Sequence, residues 1–351
     1  MKKIGIVGTG KRIGVANDHL LGIQAVPEWR LEAVYDLKRE NAEDFVGKHQ
    51  LSERVLCKDL NELLDRVDAV SVCTDNHTHA EIVRRAFEKK VHVLCEKPLS
   101  TTYQEAVQLA KEAEEMEVVH YMGMQYRYHP YAQAIKELID SDVLGEIVFY
   151  RHRIGGARIG NSSLELEWRM KKETSGAGAI ADFGVHQFDL LSFFLRDTAG
   201  PLRKVQTELG TFIKNRPQSD SISPGEVTND DVSAIIGKLE NGAIVNLNNS
   251  RILPPDGHGL EIVGRRAAIW MDQNENVFLR RQNDQGRWEN ERTPVSIEKR
   301  HQFSGLARGR QYQEFYDIID KSIPYELDFH YGAEMLGLVE KAIEAQNHQQ
   351  K

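Results

Sequence analysis

VHVLCEKPLS, residues 91–100, is an apolar, β-prone run that ends on a charged pair and a proline. Val91, Val93 and Leu94 favour extended backbone, and Pro98 has no N–H to donate to a continuing ladder, so the chain must turn at Lys97. That turn sets a cation at the carboxyl end of a strand, the edge at which open α/β sheets hold their ligands. An isolated solvated lysine fits the same pattern, so the surrounding segments have to discriminate.

Upstream, residues 4–7 read as a buried strand, and Gly8-Thr9-Gly10-Lys11-Arg12-Ile13-Gly14 leads directly into a helical pattern through Leu21. Backbone without Cβ admits close approach of a pyrophosphate, and the following helix offers free N–H groups and the positive end of its dipole. The turn reads G-x-G-x-x-x-G, one residue longer than the dinucleotide fingerprint, so the motif alone is only suggestive. Gly8, Thr9, Gly10, Arg12 and Ile13 are the expected pyrophosphate contacts. Residues 31–35 supply a second strand ending at Asp36, near the offset of about 20 residues at which a ribose-binding acid is expected. Asp36 is therefore expected on the adenosine ribose hydroxyls. Its charge repels a 2′-phosphate and favours NAD over NADP, a preference that Lys38 and Arg39 soften. A cap for the next helix is the structural alternative.

Strand and helix signals then alternate, with helices over residues 41–48 and 60–64, a short strand near Val55 and a strand over 69–73. The polar loop Thr74-Asp75-Asn76-His77-Thr78-His79 follows at the carboxyl edge. Thr74, Asn76 and His79, with Glu96 and Lys97, are expected near the nicotinamide end of the cofactor. His77 and His79 lack a third ligand at zinc-like spacing, so no metal site is expected. Helices over 80–89 and 103–115 and a strand over 118–122 bring the total to roughly six strands in a doubly wound parallel sheet, a Rossmann domain spanning residues 1–123.

From residue 124 the grammar changes to a helix over 132–140 and β-rich sequence from 145–154 onward. Strands are readable near 204–212, 232–239, 243–251, 259–263 and 277–281, with Asn241-Gly242 a hairpin signal between two of them. The expectation for 124–351 is an α+β domain with a large, mostly antiparallel open sheet. One face of such a sheet is available to a partner subunit, as in a homodimer or homotetramer. Two closing helices, about 309–320 and 331–345, are expected to dock back toward the first domain.

Bulk properties agree. A chain of 351 residues exceeds the usual single domain, and 40% hydrophobic residues can build two cores. A net charge of −8, from 45 basic against 53 acidic side chains, repels nucleic acid. Cys57, Cys73 and Cys95 form no disulfide framework or zinc ribbon. With no apolar run of membrane-spanning length, the chain is expected to be soluble, unexported and cytoplasmic.

One later segment breaks the apolar pattern. Residues 176–195, GAGAIADFGVHQFDLLSFFL, read as a single buried helix on which Asp182, His186 and Asp189 share one stripe. Burying such groups without partners costs about 1–3 kcal/mol each, so they bond to neighbours or face a ligand cavity. The spacing suits an acid orienting a histidine. A hydrogen-bonded core histidine is the alternative, and a metal site lacks a third ligand.

Together Gly8-Thr9-Gly10, Asp36, Glu96-Lys97-Pro98, Arg127 with Pro130, and Asp182-x-Gly184-x-His186-x-x-Asp189 resemble the glucose-fructose oxidoreductase and inositol dehydrogenase family, Gfo/Idh/MocA. The resemblance spans nearly the whole chain in order, and HVLCEKPLSTTYQEA and D-x-G-x-H-x-x-D are its specific parts. It implies a Rossmann domain with NAD or NADP, a second domain carrying a sugar or polyol, frequent dimers or tetramers, and Lys97, Asp182 and His186 at the catalytic positions. On that basis His186 would take a proton from a ring hydroxyl, Asp182 would hold its tautomer, and Lys97 would stabilise the alkoxide. Tyr126, Arg127, Trp168 and Arg169 are the substrate-side candidates. The basic cluster Arg151, Arg153, Arg158, Arg169, Lys171 and Lys172 reads either as an anion site or as a solvated face. The glycine loop is longer than the family's, Asp75 stands for a common proline, and Ala177 interrupts a glycine triplet. Rival readings are an NAD-dependent glycosidase that oxidises transiently, and an inactive regulatory member.

Overall fold

The computed structural model describes residues 1–10, 14–218, 221–252, 258–283, 285–292 and 300–349. The chain packs into two compact units: Met1–Tyr128 with His301–Leu336, and His129–Arg300 with Gly337–Lys351.

In the first unit, β1 (Lys2–Val7), α1 (Val15–Gln24), β2 (Trp29–Tyr35), α2 (Arg39–Lys48), α3 (Leu60–Arg66), β3 (Ala69–Val72), α4 (His79–Glu88), β4 (His92–Glu96), α5 (Tyr103–Glu114) and β5 (His120–Gly123) alternate. The strands form one parallel sheet in the order β2-β1-β3-β4-β5. Both faces of such a sheet are covered, which is why β3 reads Ala-Val-Ser-Val and is buried at every position. Helix α4 turns Ala80, Ile82, Val83, Ala86 and Phe87 inward. Each large side chain among these contributes about 1.5–3 kcal/mol by burial.

The sheet has five strands and not about six. The expected strand near Val55 is a 3-10 turn, Glu53–Val55, with only an isolated bridge from Leu56 to Val34. Local polar groups win there: Ser52 Oγ accepts from Arg54 N at 3.4 Å, and Asp59 caps α3 by accepting from Glu62 N at 2.8 Å. Proline does end β4, whose last residue is Glu96.

Helix α10 (Arg300–Lys321) packs into this unit. Trp29 Nε1 donates to Tyr312 O at 3.1 Å, and its ring stacks on Phe315 at 5.7 Å between centroids. Gly22 of α1 makes the approach possible, because a Cβ there would lie 2.4 Å from the Tyr312 ring.

In the second unit, α6 (Pro130–Asp140), β6 (Ile147–Gly155), α7 (Lys172–Ser175), α8 (Ala179–Asp182) and α9 (Gly184–Ala199) precede the strands β7 (Leu202–Gly210), β8 (Asn215–Gln218), β9 (Ser221–Glu226), β10 (Val232–Leu239), β11 (Ile244–Ser250), β12 (Gly259–Gly264), β13 (Ala268–Met271), β14 (Val277–Gln282) and β15 (Trp288–Arg292). Eight strands build one sheet in the order β15-β14-β13-β12-β6-β11-β10-β7, antiparallel except for the β6/β11 pair, and β8 and β9 pair separately. Asn241-Gly242 does close a hairpin: Lys238 faces Ile244, and Gly242 has φ 96°. Strands β8, β9 and β15 were not readable from periodicity, because each is short and carries charge, proline or glycine, and β13, Ala-Ile-Trp-Met, is only four residues long and without polar alternation.

Strict alternation in β10 buries one face and leaves Ile236 on the other, 52% exposed beside Ile244 at 42%. The edge strand β7 is covered by α11 (Phe329–Gln349), where Lys341 Nζ donates to Arg203 O at 3.0 Å and Gln346 Nε2 to Leu209 O at 3.3 Å. No helix among the described residues is long and apolar enough to cross a membrane.

Candidate active site

Each unit carries one constellation of the residues singled out above. In the first, Gly8 and Gly10 have φ values of 87° and 58°, backbone that side chains with a Cβ rarely adopt. A Cβ on Gly8 would stand 2.5 Å from Thr74 Cγ2. The turn ends at Gly14, which has no side chain to cap α1, so the first amides of that helix remain for a ligand. Arg12 and Ile13 lie outside the described residues.

Asp36, at the carboxyl end of β2, is held from both sides. Its Oδ2 accepts from Thr9 N at 2.8 Å, Thr9 Oγ1 at 3.1 Å and Gly10 N at 3.0 Å. Its Oδ1 accepts from Lys38 N at 2.9 Å and Asn41 Nδ2 at 3.1 Å, so the carboxylate also orders the start of α2. The described part of this turn suits a dinucleotide: Gly8 and Gly10 carry no Cβ, the Thr9 and Gly10 amides point to one anionic oxygen, that of Asp36, and an acid stands at the end of the second strand.

Two expected cofactor contacts have partners within the protein. His79 is fully buried, with Nδ1 2.9 Å from Pro98 O and Nε2 3.1 Å from Thr74 O. It lies between the loop after β3 and the turn after β4, and the single N–H of its neutral ring donates to one of these two carbonyls. Burial holds its pKa below the ordinary value, against the pull of the two carbonyls. Glu96 is 5% exposed, and its Oε1 accepts from His19 Nε2 at 2.8 Å and Arg308 Nη2 at 2.5 Å. Burial alone would raise its pKa, yet Arg308, His19 and Lys97 together hold it well below the usual carboxylate range. Lys97 is half-buried at the turn, its N–H 3.3 Å from Glu96 Oε2. Thr74 Oγ1 accepts from Thr78 Oγ1 at 2.7 Å, and Asn76 is buried beside it.

Arg127 also has partners within the protein. It is 5% exposed, donates through Nη1 to Glu326 Oε2 at 2.7 Å, and lies 4.7 Å from the Tyr331 ring. Tyr126 is half-buried in the same 3-10 turn, Gln125–Tyr128.

In the second unit the expected single helix over 176–195 is two helices. Asp182 ends α8, Phe183 forms the corner, and His186 lies in the first turn of α9. Asp182 is half-buried, His186 is 2% exposed and Asp189 is fully buried. Asp230 accepts from Gly178 N at 2.7 Å and Ile180 N at 2.9 Å, which pins the start of α8 to the strand region. Gly178 is the glycine this contact requires, since a Cβ would be 2.0 Å from Asp230 O. Its predecessor Ala177 is tolerated.

The same anchor reaches Arg169. Arg251 bridges Asp230 O at 2.8 Å and Arg169 O at 2.6 Å, and Asn229 Nδ2 donates to Arg169 O at 2.8 Å. Trp168 and Arg169 form a 3-10 turn with the guanidinium 4.1 Å from the indole. Gln187 fastens α9 to the sheet through His152 O and Asn248 O at 2.8 and 3.1 Å. Asn229, Asp230, Arg251 and Gln187 were missed from sequence. The available signal was the polar run Thr228-Asn229-Asp230-Asp231 directly ahead of a buried strand. In the basic cluster, Arg158 pairs with Glu167 and Arg151 with Glu261, as on a solvated face. Among the described residues, no group of three or more His, Cys, Asp or Glu is placed to hold a metal ion.

A parallel sheet with a glycine turn, joined to a separate α+β unit, is the architecture expected of a two-domain NAD-binding oxidoreductase. The comparisons with known proteins agree: the family described as "Oxidoreductase family, NAD-binding Rossmann fold" matches residues 2–124, and the GFO/IDH/MocA C-terminal domain matches 132–270. The chain belongs to the Gfo/Idh/MocA oxidoreductase family. It is 31% identical to glucose-6-phosphate 3-dehydrogenase of Bacillus subtilis over 76% of this chain and 73% of that protein. With myo-inositol 2-dehydrogenase of Thermotoga maritima it shares 23% identity over 81% of this chain and 79% of that one. A solved levoglucosan dehydrogenase in complex with NADH and L-sorbose has the same fold, with a TM-score of 0.87 at 20% identity over 99% of this chain and 97% of that one.

Proposed function

We propose that this enzyme oxidises a secondary hydroxyl of a sugar, polyol or sugar derivative, and in reverse reduces the corresponding ketone. NAD, when bound in the glycine cradle, supplies the hydride acceptor. His186 takes the hydroxyl proton, Asp182 holds the imidazole tautomer, and Lys97 steadies the developing alkoxide. Trp168, Arg169 and Tyr126 are the proposed substrate contacts. The observation that carries the reading is the 31% identity to a glucose-6-phosphate 3-dehydrogenase. The anchoring of the start of α8 by Asp230 supports it, because the short helix that ends at Asp182 then has a fixed seat.

The division of labour proposed with it gives residues 1–123 the cofactor and 124–351 the substrate and assembly. The half-exposed Ile236 and Ile244 on the outer sheet face support a homodimer or homotetramer built there. Three free cysteines support a cytoplasmic enzyme.

Incubation of the purified protein with NAD and a panel of polyols, aldoses, sugar phosphates and sugar acids tests the reading by NADH absorbance. Appearance of NADH with one of them supports it. Net conversion of a sugar with no NADH released overturns it in favour of a hydratase or glycosidase, a relative in Escherichia coli at 26% identity being a 2,7-anhydro-N-acetylneuraminate hydratase.

A further inference from the structure

Between β6 and α8 the chain makes an excursion, residues 156–178, that packs on a small core: Ile159, Met170 and Val227, with Leu164, Leu166 and Ile252 against them. A loop on so small a core opens easily unless its backbone is tied down elsewhere. Two buried arginines do this, Arg216 at 1% and Arg251 at 4% exposed, each by donating to two main-chain carbonyls. Arg216 takes the near end, through Ile159 O and, at 2.7 Å, Asn161 O. Arg251 takes the far end: its Nη1 donates to Arg169 O at 2.6 Å and its Nη2 to Asp230 O at 2.8 Å. The planar fork of a guanidinium holds two carbonyls at a fixed separation, which a lysine ammonium does not reproduce.

The two sides that Arg251 joins do not depend on it equally. Asp230 keeps three further bonds to α8 and its approach, from Gly178 N and Ile180 N to the carboxylate and from Ala179 N to the carbonyl at 3.0 Å. Arg169 O has Asn229 Nδ2 at 2.8 Å and a longer contact from Ser175 Oγ at 3.4 Å, both neutral donors, while the charged and stronger donor is Arg251. Loss of Arg251 therefore falls on the turn more than on the helix that ends at Asp182. We infer that Arg251 is a positioning residue for substrate affinity, holding the Trp168–Arg169 turn in place through its main chain. This rests on the reading of Trp168 and Arg169 as substrate contacts given above. The Arg169 guanidinium lies 4.1 Å from the indole, so a shift of the turn carries both side chains with it.

The test measures KM and kcat for the best sugar of the panel, NADH affinity by fluorescence, and melting temperature. Arg251→Met is expected to raise KM on the order of 10- to 100-fold with kcat within about threefold, the pattern of lost uniform binding. NADH affinity should stay within about twofold, since neither carbonyl belongs to the glycine turn. Arg251→Lys keeps the charge without the fork, and its KM should lie nearer to that of Arg251→Met than to the parent. Arg216→Met is the control: it removes an equally buried arginine from the same excursion, and should lower the melting temperature at parental KM. Where Arg251→Met does not fold, Asn229→Ala takes its place, removing the neighbouring donor to the same carbonyl, with a rise in KM expected and parental KM overturning the inference.

A lower melting temperature in Arg251→Met with parental KM overturns it as well. So does an Arg216→Met variant whose KM rises as far, because general loosening of the excursion then explains both. A fall in kcat at unchanged KM also overturns it, since the effect has then reached Asp182 and not the turn. Trp168→Ala separates the two levels. Parental KM there removes the substrate-contact reading and this inference with it, whereas a raised KM there with parental KM in Arg251→Met removes only the positioning role.

Discussion

Replacing Gly178 by alanine perturbs the seat of the proposed acid–base pair without touching either residue. The added Cβ would lie 2.0 Å from Asp230 O, 2.5 Å from Asp230 Oδ1 and 2.6 Å from Asp230 N. Two of these atoms are backbone, and the third is hydrogen-bonded to Gly178 N, so no flexible side chain can swing aside. Overpacking of this kind costs about 1–3 kcal/mol. Moving Asp230 away also strands buried polar groups at about 1–3 kcal/mol each, for a total of about 3–6 kcal/mol. At about 2–4 °C per kcal/mol for a unit of this size, the melting temperature should fall by roughly 6 °C or more. Gly47 is the control: nothing lies within 4 Å of a Cβ there, and in the body of α2 alanine should stabilise by about 0.5–1 kcal/mol. Urea unfolding followed by circular dichroism, with turnover on the best substrate, reads both variants. Gly178→Ala unfolding within about 1 kcal/mol of the parent would refute the clamp.

Other outcomes follow from the same geometry. His186→Ala should lower turnover by ~10²- to 10⁴-fold while leaving NADH binding intact, and unchanged turnover removes His186 from the role. Asp36→Ala should raise the use of NADP relative to NAD, because the carboxylate held by Thr9, Gly10 and Asn41 no longer repels a 2′-phosphate; the ratio of kcat/KM values for the two cofactors measures it. Glu96 gives a pH signature. Its folded pKa lies below the unfolded one, so its pairing stabilises fully above about pH 4.3 and is lost as pH falls toward the folded value. Glu96→Gln should therefore be less stable than the parent at neutral pH, with the gap narrowing in acid. A constant gap in urea midpoints from pH 7 to pH 3 would contradict the assignment.

Local patterns carried most of the architecture. Continuous apolar strands between amphipathic helices imply a buried parallel sheet, and Asn241-Gly242 implies a hairpin, because backbone conformation at those places is dictated by residues a few positions apart. The glycine turn and Asp36 were legible for the same reason: their requirements, positive φ and an acid after the second strand, are met within one βαβ unit. Where a segment was short and polar, as at 53–55, local hydrogen bonds outcompeted the ladder that its composition suggested.

Charge compensation was not legible. Sequence alone placed Glu96 beside Lys97, but only the fold brought Arg308, more than two hundred positions away, onto its carboxylate. Likewise the stripe of Asp182 and His186 was visible as a helical pattern, while the capture of the Gly178 and Ile180 amides by Asp230 was not. By itself the sequence determined most of the elements and the class of each sheet, since these depend on periodicity and local backbone chemistry. The tertiary structure alone decided which polar groups are committed to one another in the core, because a buried charge is satisfied by whichever partner the packing delivers, at any separation along the chain.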